Sequence, residues 1–426
     1  MLESSYQMIY NKYIISAIDE NFNTKGMISM NFNTLYPKFP FSLPMLLDGA
    51  TGTALIKAGM PTGVCPEKWI LEHPDAILSI QSDYVKAGAD AVLSPTFGAN
   101  RAVLSRYGLD TQTEEMNQAL ATLSRKAAGK ALIGGDLSPT GKMLAPIGDT
   151  TLDELIDVYK EQAKALDDIV DFYMLETNMD LASARAAVLA VKDISEKPVF
   201  VTLTVTESGK TMYGDDPLCA LLTLSSLGIS AFGLNCSTGP KEMKDILAPL
   251  FPLSAALGIP LIAKPNAGAP KADGTHEHLS PLTFAEIGRE MLTSGIAILG
   301  GCCGTDSTVI EALHTMRRSF TQDISTPDEI DTAVIAANAR TYVEIDVNDL
   351  PAPLAADEDL ADNAEEMADG YDFIYVRLET ADDADIVLEC VPFFYSLPLA
   401  VCGDENAIAR LKKYYCGKLA VIPNLA

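Results

Sequence analysis

From Met45 onward, short apolar runs alternate with longer stretches in which apolar residues recur every three or four positions. The short runs read as strands, and their unbroken apolar character marks strands buried on both faces. The longer stretches read as helices with one apolar face. Eight strands are expected, near 45–50, 91–97, 131–137, 171–177, 198–205, 231–236, 260–265 and 297–302. The period predicts helices between them, among others over 75–87, 152–166, 181–191 and 282–294. Eight such βα units over about 260 residues match the size of a closed (β/α)8, or TIM, barrel. A doubly wound open sheet is the alternative.

The flanks have different patterns. Residues 1–44 are Asn-rich and spotted with aromatics, without a sustained period, and read as an N-terminal extension. The barrel should occupy 45–320, followed by an acidic linker region over 321–370 whose Ala-rich part, 346–370, reads as a linker or a solvated helix. Beyond it, strand-like runs at 373–378, 386–391 and 397–401 surround a helix near 406–415, which makes 371–426 a small α/β domain. From Thr321 to Ala426 there are 22 acidic and 6 basic side chains, so this last quarter carries 16 of the 27 excess negative charges.

That charge argues against nucleic acid or an anionic membrane as partner, because phosphates are repelled. The chain is 48% hydrophobic and 21% charged, the composition of a protein with a sizeable core. It lacks an 18-residue apolar run, and its first 44 residues lack the basic-then-apolar pattern of a secretory leader. Eight irregularly spaced cysteines then suggest reduced thiols and a cytoplasmic location.

In barrels of this kind the chemistry gathers where the strands end. Those ends carry Asp48, Asn100, Asp136, Glu176, Asn235 with Cys236, Asn266, and the run Gly-Gly-Cys-Cys-Gly-Thr at 300–305. Cys302 and Cys303 are adjacent, so both can face one ion only where the strand breaks, and flanking glycines permit that break. Together with Cys236 they would give three thiolates and leave one tetrahedral position open, the pattern of a catalytic rather than a structural zinc. Cys65, Cys219, Cys390, Cys402 and Cys416 read as small core residues instead. His276 and His278, flanking Glu277, read as solvated loop residues.

The motifs, taken in order, resemble the homocysteine S-methyltransferase family, and within it the homocysteine-binding module of cobalamin-dependent methionine synthases. The resemblance runs over about 46–317 and rests on LDGATGT at 47–53, AGAD and PTFGAN within 87–100, SPTGK at 138–142, LET at 175–177, GLNCSTGP at 233–240, PNAG at 265–268 and the double cysteine. It implies Zn2+ held by Cys236, Cys302 and Cys303. It also implies that homocysteine is bound by Asp48, by the loop Gly49, Ala50, Thr51, Gly52 and Thr53, and by Glu176, with Asn235 orienting the metal loop. The chemistry agrees: an ammonium needs carboxylates, and a carboxylate suits N–H groups at a helix start. Two positions depart from the family's usual pattern, Thr51, where Met is frequent, and Lys264 just before the Asn motif, so a related thiol or selenol also fits.

The implied reaction is methylation of the homocysteine thiol to methionine. No histidine has an Asp two places before it, so the chain lacks the usual histidine ligand for cobalamin. A separate methyl-corrinoid protein is the expected donor; free methylcobalamin and S-methylmethionine are alternatives. Betaine fits less well, since its quaternary ammonium favours an aromatic cage and Trp69 is the only tryptophan. Residues from about 381 loosely resemble part of the pterin-binding barrel that follows this module in methionine synthases, but about 100 residues cannot close a second barrel; a docking or remnant role is expected. Two other classes are the alternatives: a Schiff-base enzyme using Lys264, and a non-catalytic metal-holding subunit of a methyltransferase complex.

Overall fold

The computed structural model describes residues 29–268, 278–325 and 334–423. Eight parallel strands form its centre: β1 (Met45–Leu46), β2 (Ala91–Leu93), β3 (Leu132–Leu137), β4 (Phe172–Asn178), β5 (Val199–Leu203), β6 (Ala231–Asn235), β7 (Leu261–Lys264) and β8 (Ile296–Leu299). Neighbours pair in order from β2 to β8, and β8 returns to pair with β1. The two ends of this ladder, β1 and β2, are themselves joined by hydrogen bonds between Leu46 and Asp90, which an open doubly wound sheet does not allow, so the (β/α)8 barrel is the architecture. Each strand lies within or beside its apolar run, and the run's closing residues leave the ladder to build the rim. Among the described residues no helix is long and apolar enough to cross a membrane.

Between β1 and β2 there is no strand ladder; a backbone bond and the carboxylates of Asp90 and Asp48 close the seam. The Asp90 N–H donates to the Leu46 carbonyl at 2.8 Å, and Leu46 N–H donates to the Asp90 carboxylate at 2.7 Å. One level higher, Leu93 N–H donates to Oδ2 of Asp48 at 2.9 Å. Arg317, in the helix Ser307–Arg318, pairs with Asp90 and donates to the Pro44 carbonyl at 3.1 Å, which pins the seam from outside.

Of the N-terminal extension, residues 1–28 lie outside the described residues, and 29–44 seal the opposite mouth. Phe32 and Tyr36 are fully buried, and Phe39 and Phe41 reach under the barrel to Phe172 and Phe200, near the starts of β4 and β5. Ring centroids lie 5.5 Å apart for Phe39 and Phe200 and 5.8 Å for Phe41 and Phe172, within the range of favourable aromatic pairs. The barrel is therefore open only at the C-terminal ends of its strands.

Beyond the barrel, β9 (Ile335–Ala337) and β10 (Tyr342–Glu344) pair antiparallel, and β11 (Leu354–Ala355), β12 (Ile374–Leu378), β13 (Leu399–Gly403) and β14 (Ala420–Val421) form a parallel sheet in that order. The run 386–391 belongs mostly to the helix Asp383–Cys390 rather than to a strand, because β12 and β13 are parallel and their link must cross over the sheet. Only one face of that helix is buried, at Ala384 and Val387. The stretch 346–370, expected as a linker or a solvated helix, supplies β11 and a helix, Leu360–Ala368, but that helix is not wholly solvated: Leu360 and Ala364 are fully buried in the tail's core. Arg185, 2% exposed on the barrel helix Leu181–Lys192, donates to the carbonyls of Lys412 and Lys413 at 3.0 and 3.2 Å. Its cation sits at the negative end of the helix Glu405–Tyr414 and ties tail to barrel.

The aromatic floor yields a stability test. Phe200→Ala should cost about 3–5 kcal/mol, read as a lower urea midpoint; an unchanged midpoint would mean that the floor does not support the barrel.

Candidate active site

Backbone hydrogen bonds set the cysteine geometry. β6 ends at Asn235, and the next two residues, Cys236 and Ser237, adopt left-handed backbone with φ of 60° and 50°. That conformation costs roughly 1–2 kcal/mol per residue, and it is held by the Cys236 N–H, which donates to the Lys264 carbonyl at 3.1 Å, and by Ser237 Oγ, which accepts from Val205 N–H at 3.2 Å. After β8 the chain also breaks from strand geometry. Cys302 N–H donates to the Pro265 carbonyl at 2.8 Å, Ala267 N–H donates to the Cys303 carbonyl at 2.9 Å, and Gly304 follows with φ of 81°.

These turns bring three sulfurs together. Sγ of Cys236 lies 3.9 Å from Sγ of Cys303, and all three sulfurs fall within 4.8 Å of one another. Sulfurs bound at about 2.3 Å around a tetrahedral zinc sit about 3.8 Å apart, so the donor set fits such an ion in both identity and spacing. It is the only group of its kind among the described residues. Cys65, Cys219 and Cys402 are buried; Cys390 and Cys416 are partly so. His276 and Glu277 lie outside the described residues.

Three thiols so close cannot ionise independently. Hydrogen bonds from Cys302 and then Cys303 hold the Cys236 thiol far below its ordinary range. The reciprocal contacts, with burial, push Cys302 well above it and raise Cys303 as well. One thiolate forms readily and the others resist until a cation arrives.

Beside the sulfurs lies a buried charge cluster. Asp48, Asp136, Glu176 and Lys264 are 1%, 5%, 8% and 2% exposed, and Lys264 Nζ donates to Glu176 Oε2 at 2.6 Å. Burial pushes the Asp48 carboxyl up to about 7 against the pull of Lys264. Burial raises Asp136 well above the carboxylate range, and the Glu176 charge adds to the effect. At Lys264 burial favours the neutral amine, but Glu176 and then Asp48 outweigh it and raise the pKa. Lys264 is thus an ammonium, the form that cannot attack a carbonyl, and the Schiff-base alternative loses its nucleophile.

Asn235 spends its amide on the protein. Oδ1 accepts from Thr177 N–H and Thr202 Oγ1, and Nδ2 donates to Thr177 Oγ1, each at 2.8 Å. Thr177 follows Glu176 and holds a left-handed φ of 62°, so Asn235 braces the Glu176 turn as well as the start of the Cys236 loop. In the loop after β1, Gly49 presses on Tyr84 so closely that a Cβ would lie 2.8 Å from the ring. Ala50 N–H donates to Thr305 Oγ1 at 3.2 Å, and Thr51 begins the short helix Gly52–Lys57 without a side-chain cap. The first-turn N–H groups at Gly52 and Thr53 therefore have no intrahelical partner.

Sequence reasoning brought the cysteines, Asp48 and Glu176 to one rim, where the structure places them. It gave no site role to Asp136 and treated Lys264 as a departure from the family pattern or a Schiff-base lysine, not as the partner of Glu176. The available signal was a charged residue closing a strand otherwise buried on both faces, where an unpaired charge is too costly to be incidental.

Fold and site together define a (β/α)8 barrel with a metal-competent thiol cluster and buried carboxylates at its catalytic end. The homocysteine S-methyltransferase family model matches residues 45–316, and the chain belongs to that family. The methionine synthases of Mycobacterium tuberculosis and Mycobacterium leprae are each 34% identical over 283 residues, covering 61% of this chain and 23% of theirs. The chain thus spans about a quarter of the length of these relatives. The metallated form of the homocysteine methyltransferase MmuM from Escherichia coli shares the fold, with a TM-score of 0.54 at 23% identity over 64% of this chain and 95% of that one.

The thiol electrostatics can be read directly. In chelator-treated protein, Cys236 should be alkylated first by iodoacetamide, and its labelling should persist as pH falls from 8 to 5, because a depressed pKa keeps the thiolate at lower pH. Labelling that disappears below about pH 8, as for a free cysteine, would contradict the assignment.

Proposed function

We propose that this chain is a zinc-dependent S-methyltransferase that converts homocysteine to methionine, with a separate methyl-corrinoid protein as donor. The observation that carries the reading is the convergence of Cys236, Cys302 and Cys303 on one point with an open side. Bound there, zinc would supply the Lewis acidity that keeps a substrate thiol ionised at neutral pH. The protein's own groups do the rest. Asp48 and the carboxylates around it receive the substrate ammonium, and the free N–H groups at the start of Gly52–Lys57 suit its carboxylate. With both ends held, the sulfur is aimed out of the barrel, which turns a chance encounter into an oriented one. Its lone pair forms the new S–CH3 bond while the bond between methyl and donor breaks and that electron pair leaves with the donor.

The rim's surface supports a macromolecular donor. Phe97, Met143, Ile147, Met179, Met212 and Leu282 are 41–75% exposed, and all stand on loops or helix starts at the open end of the barrel. Exposed apolar side chains on several loops at the same end as the reactive centre suit a docking partner. The tail, anchored through Arg185, serves in this reading as a docking element rather than a folate site. Eight free thiols suit a reducing cytoplasm.

Purified protein should hold one zinc per chain, and Cys302→Ala should lose it while keeping the far-ultraviolet dichroism of the wild type. Turnover of homocysteine with a methyl-corrinoid donor should fall by at least about 100-fold. Retained zinc and turnover would refute the ligand assignment, and wild-type turnover with S-methylmethionine but not with a corrinoid would refute the donor.

A further inference from the structure

The loop after β2 carries an exposed aromatic on a tightly braced backbone. Phe97 is 42% exposed, yet the peptide joining it to Gly98 is bonded at both of its polar atoms by buried side chains. Ser138 Oγ donates to the Phe97 carbonyl, and Gly98 N–H donates to Oε1 of Glu67 at 2.7 Å. Glu67, on the helix Pro66–Glu72, is 3% exposed, and it lies so close that a Cβ on Gly98 would sit 2.7 Å from its carboxyl oxygen. On either side, Gln162 Nε2 donates to the Thr96 carbonyl at 2.7 Å and Asn117 Nδ2 donates to the Ala99 carbonyl at 2.8 Å. All four bracing side chains are buried. An exposed ring gains nothing from such bracing in the free protein, whereas fixing it beforehand lowers the entropy lost when it meets a ligand.

The position of the ring narrows the ligand. β2 and β6 are four strands apart in the ring of eight, so Phe97 stands across the mouth from Cys236. A donor that offers its methyl group to the sulfurs and is broad enough to span the mouth meets that far rim. A corrin macrocycle has the breadth and an apolar, methyl-bearing edge that packs on an aromatic ring; a small sulfonium does not reach. Resting on the corrinoid-donor reading above, we infer that Phe97 is the far-rim contact for the donor's corrin ring, and that Glu67 is the positioning residue that sets it there.

The test is steady-state transfer from methylcobalamin to homocysteine by the full zinc-loaded chain. Phe97→Ala should raise the KM for methylcobalamin roughly tenfold and leave the KM for homocysteine where it was. Glu67→Leu should do the same, while Glu67→Gln, which keeps an oxygen for the Gly98 N–H, should retain the wild-type value. The double variant Phe97→Ala/Glu67→Leu should be no worse than Phe97→Ala alone, because Glu67 acts only through the ring; a merely structural loss would add to it. An unchanged KM for methylcobalamin in Phe97→Ala, or losses that add in the double variant, would overturn the inference and leave the donor reading standing. A wild type that cannot demethylate methylcobalamin would refute the donor reading, and this inference with it.

Discussion

The end of β7 holds the two cysteine loops in register. Within four residues, Lys264 and Pro265 offer carbonyls to the N–H groups of Cys236 and Cys302, and Ala267 donates to the carbonyl of Cys303. Asn266 N–H adds a bond to the Thr238 carbonyl at 3.1 Å, two residues beyond Cys236. Each loop has left its own strand, so without this template nothing local would face the sulfurs toward one another. Backbone bonds are well suited to the task because they fix the loops independently of any side chain that substrate must reach.

Asp48 joins the barrel's closure to its chemistry. One carboxylate oxygen closes the seam between β1 and β2 through Leu93, while the other lies unpaired among the site's charges. A ligand that engages the second oxygen therefore acts on a group that also completes the cylinder. Asn235 plays a comparable double part, bracing the strained Thr177 beside Glu176 while preceding Cys236 in the chain. The rim is a connected set of groups rather than a collection of independent contacts, which is why substitutions within it should not add simply.

Much of this was legible in the residues because a buried parallel strand has few ways to be written. Val199–Leu203 and Ala231–Asn235 are fully buried, and their unbroken runs reveal both the strand and where it stops. The double cysteine between glycines likewise announces a chain break. Other features depend on partners far away in sequence. Nothing in Phe39 or Phe41 shows that they meet Phe172 and Phe200, and nothing in 386–391 distinguishes strand from helix until the parallel order of β12 and β13 demands a crossover. The ion pair of Lys264 with Glu176 spans 88 residues and three strands, so it emerges only in three dimensions.

The central claim is that three protein sulfurs hold one zinc and leave a place for the substrate's sulfur. X-ray absorption at the zinc edge, recorded with and without saturating homocysteine, addresses it most directly. Three sulfur neighbours with one lighter atom are expected in the free protein, and four sulfurs once substrate is present. A sulfur count that stays the same would contradict it.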